Sequence, residues 1–384
     1  MLKKILKGAA VMAASAAIAT QAQAAEWEIS LGGYAEQFIA YGSSDYKGIT
    51  NEPDFDGVDL DTDMEFYVKP EITLDNGLKI GVDIQLEGFA DDNGGDDVDI
   101  DEATAFVKGS FGEILIGSQN SAGYKSHYGA PIVGVSDHHP EGFAQILEHS
   151  PVTREFEGSL FRHTLGSTYL ENYDSDEPVR ITYFTPRFAG FQLGLSYARD
   201  GQRDDDRSDC NYNTCNFFDI GANYDHTFDS GLTVGLSGRY GVADAPSNTY
   251  TTNENDPEVY GFGLNLGYEG FRIGGSFAEV NAFSDQDESS YDVGVSYTTG
   301  PWNFGISYLN GSNEYDYGSG TYSSNQDVEN QVITAGISYE LAAGVKLNTF
   351  GAYVDYDNTY SDPSFSSSYG TDGFVIGTGI GLSF

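Results

Sequence analysis

The chain has 384 residues, among them 27 Tyr, 24 Phe and 48 Gly, and a formal charge of −41 from 18 Lys and Arg against 59 Asp and Glu. So few cations exclude nucleic acid as a partner, because phosphate binding needs Lys and Arg. Beyond the N-terminus no apolar run is long enough for a membrane helix.

The N-terminus reads as a secretory signal. Lys3, Lys4 and Lys7 form a basic start, Ala9 to Thr20 an apolar stretch, and Ala22-Gln23-Ala24 matches the small-x-small cleavage rule. Cleavage after Ala24 is expected, leaving residues 25–384 as one domain.

From there the chain alternates apolar and small polar residues with period two, the signature of β-strands. Candidate strands cover 27–41, 63–74, 78–90, 98–108, 113–119, 179–187, 191–200 and 216–228 in the first half. The second half adds 231–242, 259–268, 271–281, 290–298, 302–310, 328–340, 345–357 and 373–384, sixteen strands in all. Seven connections are tight: Asp75-Asn-Gly77, Ser110-Phe-Gly112, Ala189-Gly190, Asp229-Ser-Gly231, Glu269-Gly270, Thr299-Gly-Pro301 and Ala342-Ala-Gly344. The others are longer and polar. Short turns at one end and long loops at the other describe an all-β, transmembrane antiparallel up-and-down β-barrel of 16 strands. In such a barrel the apolar face points to lipid, while Gly, Ser, Asn and charged residues line the inside. Tyr197, Tyr240 and Tyr308 near the outer ends, and Tyr268, Tyr297 and Tyr339 near the inner ends, supply two aromatic girdles.

Cys210 and Cys215, five positions apart, read as a disulfide staple of one loop. Export permits the bond, and neither cysteine has companions for a four-ligand zinc site.

The signal, the hairpin alternation, the turn Thr185-Pro-Arg-Phe-Ala-Gly-Phe191 and the C-terminal Ile380-Gly-Leu-Ser-Phe384 together resemble a Gram-negative general porin of the alphaproteobacterial type. The resemblance covers nearly the whole mature chain. It implies an outer-membrane protein in contact with the lipid bilayer and lipopolysaccharide, and a homotrimer. It also implies that Phe384 is an assembly signal read by the outer-membrane assembly machinery.

Almost sixty residues, 120–178, separate the fifth and sixth strands. A connection of that length is usually functional. By chain order it is the third outer loop, which in porins folds into the lumen and narrows it. Pro140-Glu141-Gly142-Phe143 is similar to the Pro-Glu-Phe-Gly turn at the loop tip of enterobacterial porins, with the last two residues swapped. Asp137, Glu141 and Glu148 are the expected acids of the constriction. A short helix from Glu141 to His149 would pack Phe143, Ile146 and Leu147 on the wall. Lumen parity assigns Lys69, Arg180, Arg239 and Arg272 as the basic pore wall, with Glu65, Glu71, Asp83, Glu87, Asp219 and Asp225 on the same face. A basic wall across from an acidic loop imposes a transverse field.

His127, His138, His139, His149 and His163 all fall in this loop. The adjacent pair lacks the i, i+4 spacing of helical metal sites, so a metal ligand set is not assigned. No cofactor is expected. The acidic runs Asp54–Asp63, Asp91–Asp101 and Asp204–Asp206 offer the carboxylate oxygens that structural calcium takes, since hard cations prefer them, although no EF-hand order is met.

The expected function is therefore passive diffusion of small hydrophilic solutes and ions through a water-filled, weakly cation-selective channel. Sixteen strands leave such a lumen, whereas eight would be filled by side chains. An outer-membrane enzyme would need a catalytic constellation at one rim and a smaller barrel. The alternative is a substrate-specific channel, for example for sugars, using Tyr124, Tyr128, Phe143 and Phe161.

Overall fold

Period-two alternation forces every second side chain to one face, and in lipid the backbone is satisfied only when the sheet closes on itself. The computed structural model, which describes residues 26–48, 54–88, 99–135, 142–148, 166–172, 177–203, 207–246, 255–282, 286–319, 322–360 and 368–384, has this architecture. The strands are β1 Trp27–Lys47, β2 Gly57–Thr73, β3 Lys79–Gly88, β4 Asp99–Gly109, β5 Gly112–Ser118, β6 Val179–Phe184, β7 Phe191–Asp200 and β8 Cys215–Thr227. They continue as β9 Thr233–Asp244, β10 Glu258–Tyr268, β11 Phe271–Ala282, β12 Gln286–Thr299, β13 Trp302–Ser319, β14 Tyr322–Ala342, β15 Val345–Tyr360 and β16 Tyr369–Ser383. Each pairs antiparallel with its sequence neighbours, and β1 pairs with β16 to close a sixteen-strand barrel. The signal sequence expected at 1–24 lies outside the described residues.

All seven tight connections fall at one end. Ala189-Gly190 and Glu269-Gly270 have φ of 49° and 93°, and 48° and 85°. Two successive positive φ values mark the type I′ hairpin turn, whose twist matches that of the flanking strands.

The strands run further than alternation predicts at the long-loop end. The β13–β14 ladder continues through Ser319↔Tyr322, where sequence alternation stops near Asn310. Beyond the apolar band both faces meet water, so Gly, Ser, Asn, Asp and Tyr keep the backbone ladder without an apolar face.

The outer surface carries the apolar set. Val293, Ile306 and Phe262 stand 49%, 52% and 61% exposed, while their neighbours Gly294, Ser307 and Gly263 turn inward and are buried. At the short-turn end Phe271 packs on Tyr297 at 4.4 Å and Trp302 on Tyr339 at 4.5 Å, forming part of an aromatic rim. At the other end Tyr291 and Tyr308 stand 6.0 Å apart.

The inner face departs from expectation on one side. Phe38, Ala40, Leu309, Val328, Val332, Phe350, Val354 and Val375 point inward and form an apolar cluster with Val135, Phe143, Ile146 and Leu147 from the long connection. These last three lie on a short helix, Gly142–Glu148, as the sequence suggested. Each fully buried side chain of this kind contributes about 1.5–3 kcal/mol. Part of the inner wall is thus a docking surface for the loop.

Cys210 and Cys215 are joined as a disulfide at the entry to β8.

Candidate functional site

The connection from β5 to β6 is described at 119–135, 142–148, 166–172 and 177–178. Ser121 caps a one-turn helix, Ala122–Ser126, its hydroxyl accepting from the amide of Tyr124. From there the chain crosses the inner wall, strand by strand. Ala122 N donates to Ser196 Oγ on β7 at 3.0 Å, and Tyr128 N to Ser237 Oγ on β9 at 3.0 Å. Asn265 Nδ2 on β10 donates to Gly129 O at 3.0 Å, Ala130 N to Asp292 Oδ1 on β12 at 3.1 Å, and Ser307 Oγ on β13 to Pro131 O at 2.7 Å. Inward glycines leave room for this passage. A methyl on Gly263 would collide with the carbonyl oxygen of Tyr128, and one on Gly336 with that of Val133.

Two buried polar clusters hold this ledge. In the first, Arg239 Nη2 lies 3.1 Å from Asp219 Oδ1, 3.5 Å from Glu171 Oε2 and 3.3 Å from Ser121 Oγ, and Nη1 donates to the carbonyl of Leu170. Arg180 stands 3.8 Å from Glu171 and 4.0 Å from Asp219. Ser121 N also donates to Glu171 Oε1 at 2.5 Å. The two guanidinium groups and two carboxylates are between 0% and 5% exposed. Burial raises the Glu171 carboxyl above its ordinary pKa, against the pull of Arg180 and Arg239. In the second cluster Asp292 accepts from Ser276 Oγ at 2.7 Å and Thr168 Oγ1 at 3.3 Å, and Thr168 lies 3.2 Å from His127 Nε2. Burial, reinforced by Arg239, lowers the pKa of His127 to about 3, so it stays neutral.

The sequence-predicted wall cations therefore divide into two groups. Arg180 and Arg239 face inward by parity but are buried beneath the loop as counter-charges, not open to the channel. Lys69 and Lys79 face channel water: Lys69 Nζ lies 2.9 Å from Asp83 Oδ2, and Lys79 pairs with Glu71. Both partners are carboxylates of the same wall rather than of the loop. Arg272 is exposed on β11, its Nε donating to Asn265 Oδ1 at 3.2 Å. Of the acids expected at the constriction, Asp137 and Glu141 lie outside the described residues; Glu148 ends the Gly142–Glu148 helix, and its side chain lies outside them too. His138, His139, His149, His163, Phe161 and most of the runs Asp91–Asp101 and Asp204–Asp206 are likewise outside. Among the described residues no group of three or more His, Cys, Asp and Glu is placed to hold a metal ion.

Parity reasoning did not single out Glu171, Thr168, Ser276 and Asp292 as loop anchors. Asp292 carried a signal: an inward acid midway along β12, flanked on its own face by Ser290 and Gly294.

Comparison with known proteins agrees with this architecture. The family model for Gram-negative porins matches residues 8–359. An uncharacterized protein of Rickettsia felis is 22% identical over 261 residues, 56% of this chain and 56% of that protein, so the chain spans little more than half the length of this relative. Among solved structures, a loop-deletion mutant of OmpT, an outer membrane protein of Vibrio cholerae, superposes with a TM-score of 0.57 at 15% identity, covering 93% of this chain and 99% of the other. An anion-selective porin from Comamonas acidovorans gives 0.54 at 17%, covering 94% and 100%. In-vitro folded OmpT of Vibrio cholerae in its trimer form gives 0.56 at 14%, covering 93% and 99%.

Proposed function

The chain belongs to the Gram-negative porin family, and from that premise we propose that it forms a water-filled channel for passive diffusion of small hydrophilic solutes and ions, weakly selective for cations. The observation that carries this reading is the closed sixteen-strand barrel with exposed apolar residues outside and a largely polar wall inside. A barrel of that size encloses water, and its place is the outer membrane. It is a channel rather than an enzyme.

Cation preference rests on charge. The two open wall lysines are each paired with a wall carboxylate, two wall arginines are buried as counter-charges, and the chain carries −41 overall. A negative interior concentrates cations. The Comamonas porin is anion-selective on the same architecture, so strand number does not set the sign; the charges on the wall do.

Cleavage of the signal after Ala24, assembly as a homotrimer and contact of the outer loops with lipopolysaccharide belong to the same reading. The trimer form of the Vibrio protein supports the second of these.

Insertion of the purified protein into a planar bilayer tests the reading: stepwise, ohmic conductance increments are expected, and no steps from folded protein would overturn it. A second reading, a substrate-specific channel for sugars, draws on the aromatic pair Tyr124 and Tyr169, with ring centroids 5.5 Å apart along the ledge. It requires that a sugar block the current at low concentration.

A further inference from the structure

On the short-turn side of the ledge a cavity of about 490 Å³ opens beneath Tyr128, lined among others by Asp225, Gly235, Asn265 and Arg272. Its size is within the range of small-molecule sites. The ladder sets these groups in a row. Asp225 pairs with Gly235, and Gly235 with Asn265, so Asp225 and Asn265 stand two strand spacings apart, about 10 Å between backbones. Gly235 puts no side chain between them. A methyl there would stand 3.4 Å from the Tyr128 ring and 3.5 Å from Asp225 Oδ1.

The two sides of the gap differ in charge. Arg272, two residues from the β11 partner of Asn265, reaches back so that its Nε bonds Asn265 Oδ1. Among the described residues the Arg272 guanidinium has no carboxylate within 4.0 Å. On the far side, Asp225 uses Oδ2 to accept from the Tyr128 hydroxyl and to pair with Arg187 at 3.2 Å. Its Oδ1, toward Gly235, accepts no hydrogen bond among the described residues, and the side chain is 52% exposed.

We propose that this cavity is a transient docking site for small zwitterionic solutes of the amino-acid and dipeptide class. The solute carboxylate takes the planar fork of Arg272, which suits bidentate pairing. The solute ammonium donates to Asp225 Oδ1, with the Tyr128 ring as roof. Both charges face water, so binding is weak and fast and slows passage without blocking it permanently. This rests on the channel reading above.

The test is current block in planar bilayers by glycylglycine, compared with the anion N-acetylglycine and the cation glycinamide. The half-blocking concentration should be lowest for glycylglycine, and Arg272→Gln and Asp225→Asn should each raise it about threefold to fivefold, the upper end of the range for an exposed charged pair. Arg272→Lys, which keeps the charge and loses the fork, should fall between. Each variant's conductance steps show that it has folded and inserted. Equal block by the three probes, or unchanged glycylglycine block in a conducting Arg272→Gln channel, overturns the docking site and leaves the channel reading intact. Absence of conductance steps in the unmutated protein overturns the channel reading itself.

Discussion

Gly33 and Phe384 exchange a reciprocal pair of backbone hydrogen bonds, each 3.1 Å long, and these fasten the last register of β16 onto β1. The Phe384 ring is 64% exposed and lies 5.8 Å from Phe66 on the lipid face. The residue touches the outside of the barrel and no part of the ledge. Deleting Phe384 should therefore lower the amount of assembled protein in the outer membrane, while the surviving channels keep their unit conductance. Membrane fractionation followed by bilayer recording measures both; normal yield with altered conductance would contradict the assignment.

Arg239 is the hub of the first buried cluster. Removing one partner of a buried charge network leaves the other charges uncompensated and costs about 3–5 kcal/mol. Arg239→Met should thus lower resistance to heat and urea in detergent and loosen the 166–172 segment, measured as new protease cleavage there. A stable, protease-resistant variant with only a change in ion selectivity would place Arg239 in the open channel instead.

His127 makes the packing of the ledge sensitive to acid. Its folded pKa, about 3, lies below its unfolded value of about 6.5. The unfolded chain therefore binds the proton first, and the stability contributed by the neutral buried ring is complete above about pH 6.5 and is lost as pH falls toward 3. Thermal unfolding in detergent should show a midpoint falling through that window, and His127→Asn should flatten the dependence. An unchanged slope in the variant would assign the acid sensitivity elsewhere.

At Gly336 the loop backbone lies against the wall, with the Val133 carbonyl where a side chain would begin. Gly336→Val would drive a side chain into the Val133 carbonyl, an overpacking cost of about 1–3 kcal/mol. The ledge should shift off β14 and the unit conductance should change, with the barrel itself retained. Conductance identical to that of the unmutated channel would show that the ledge does not shape the passage.

Most of the barrel was legible because lipid and closure impose period two, as in Val293, Val295 and Tyr297 against Gly294 and Ser296. The short turns were legible because Gly and the I′ geometry leave few alternatives. What was missed follows from where that constraint ends. Above the apolar band the β13–β14 ladder continues to Tyr322 with no alternation to reveal it. Inside, parity tells which way Arg180 and Arg239 point but not that a loop distant in sequence covers them. Inward apolar residues such as Val328, Val332 and Val354 were the available signal of that cover, since a bare aqueous wall gives them no reason to be there.

The zero-current potential across a tenfold KCl gradient reads directly whether the interior favours cations. A potential of the sign given by K⁺ excess is expected, shrinking as both solutions are raised in salt because screening shortens the reach of the wall charges. A potential of the opposite sign at low salt, showing preference for Cl⁻, would contradict it.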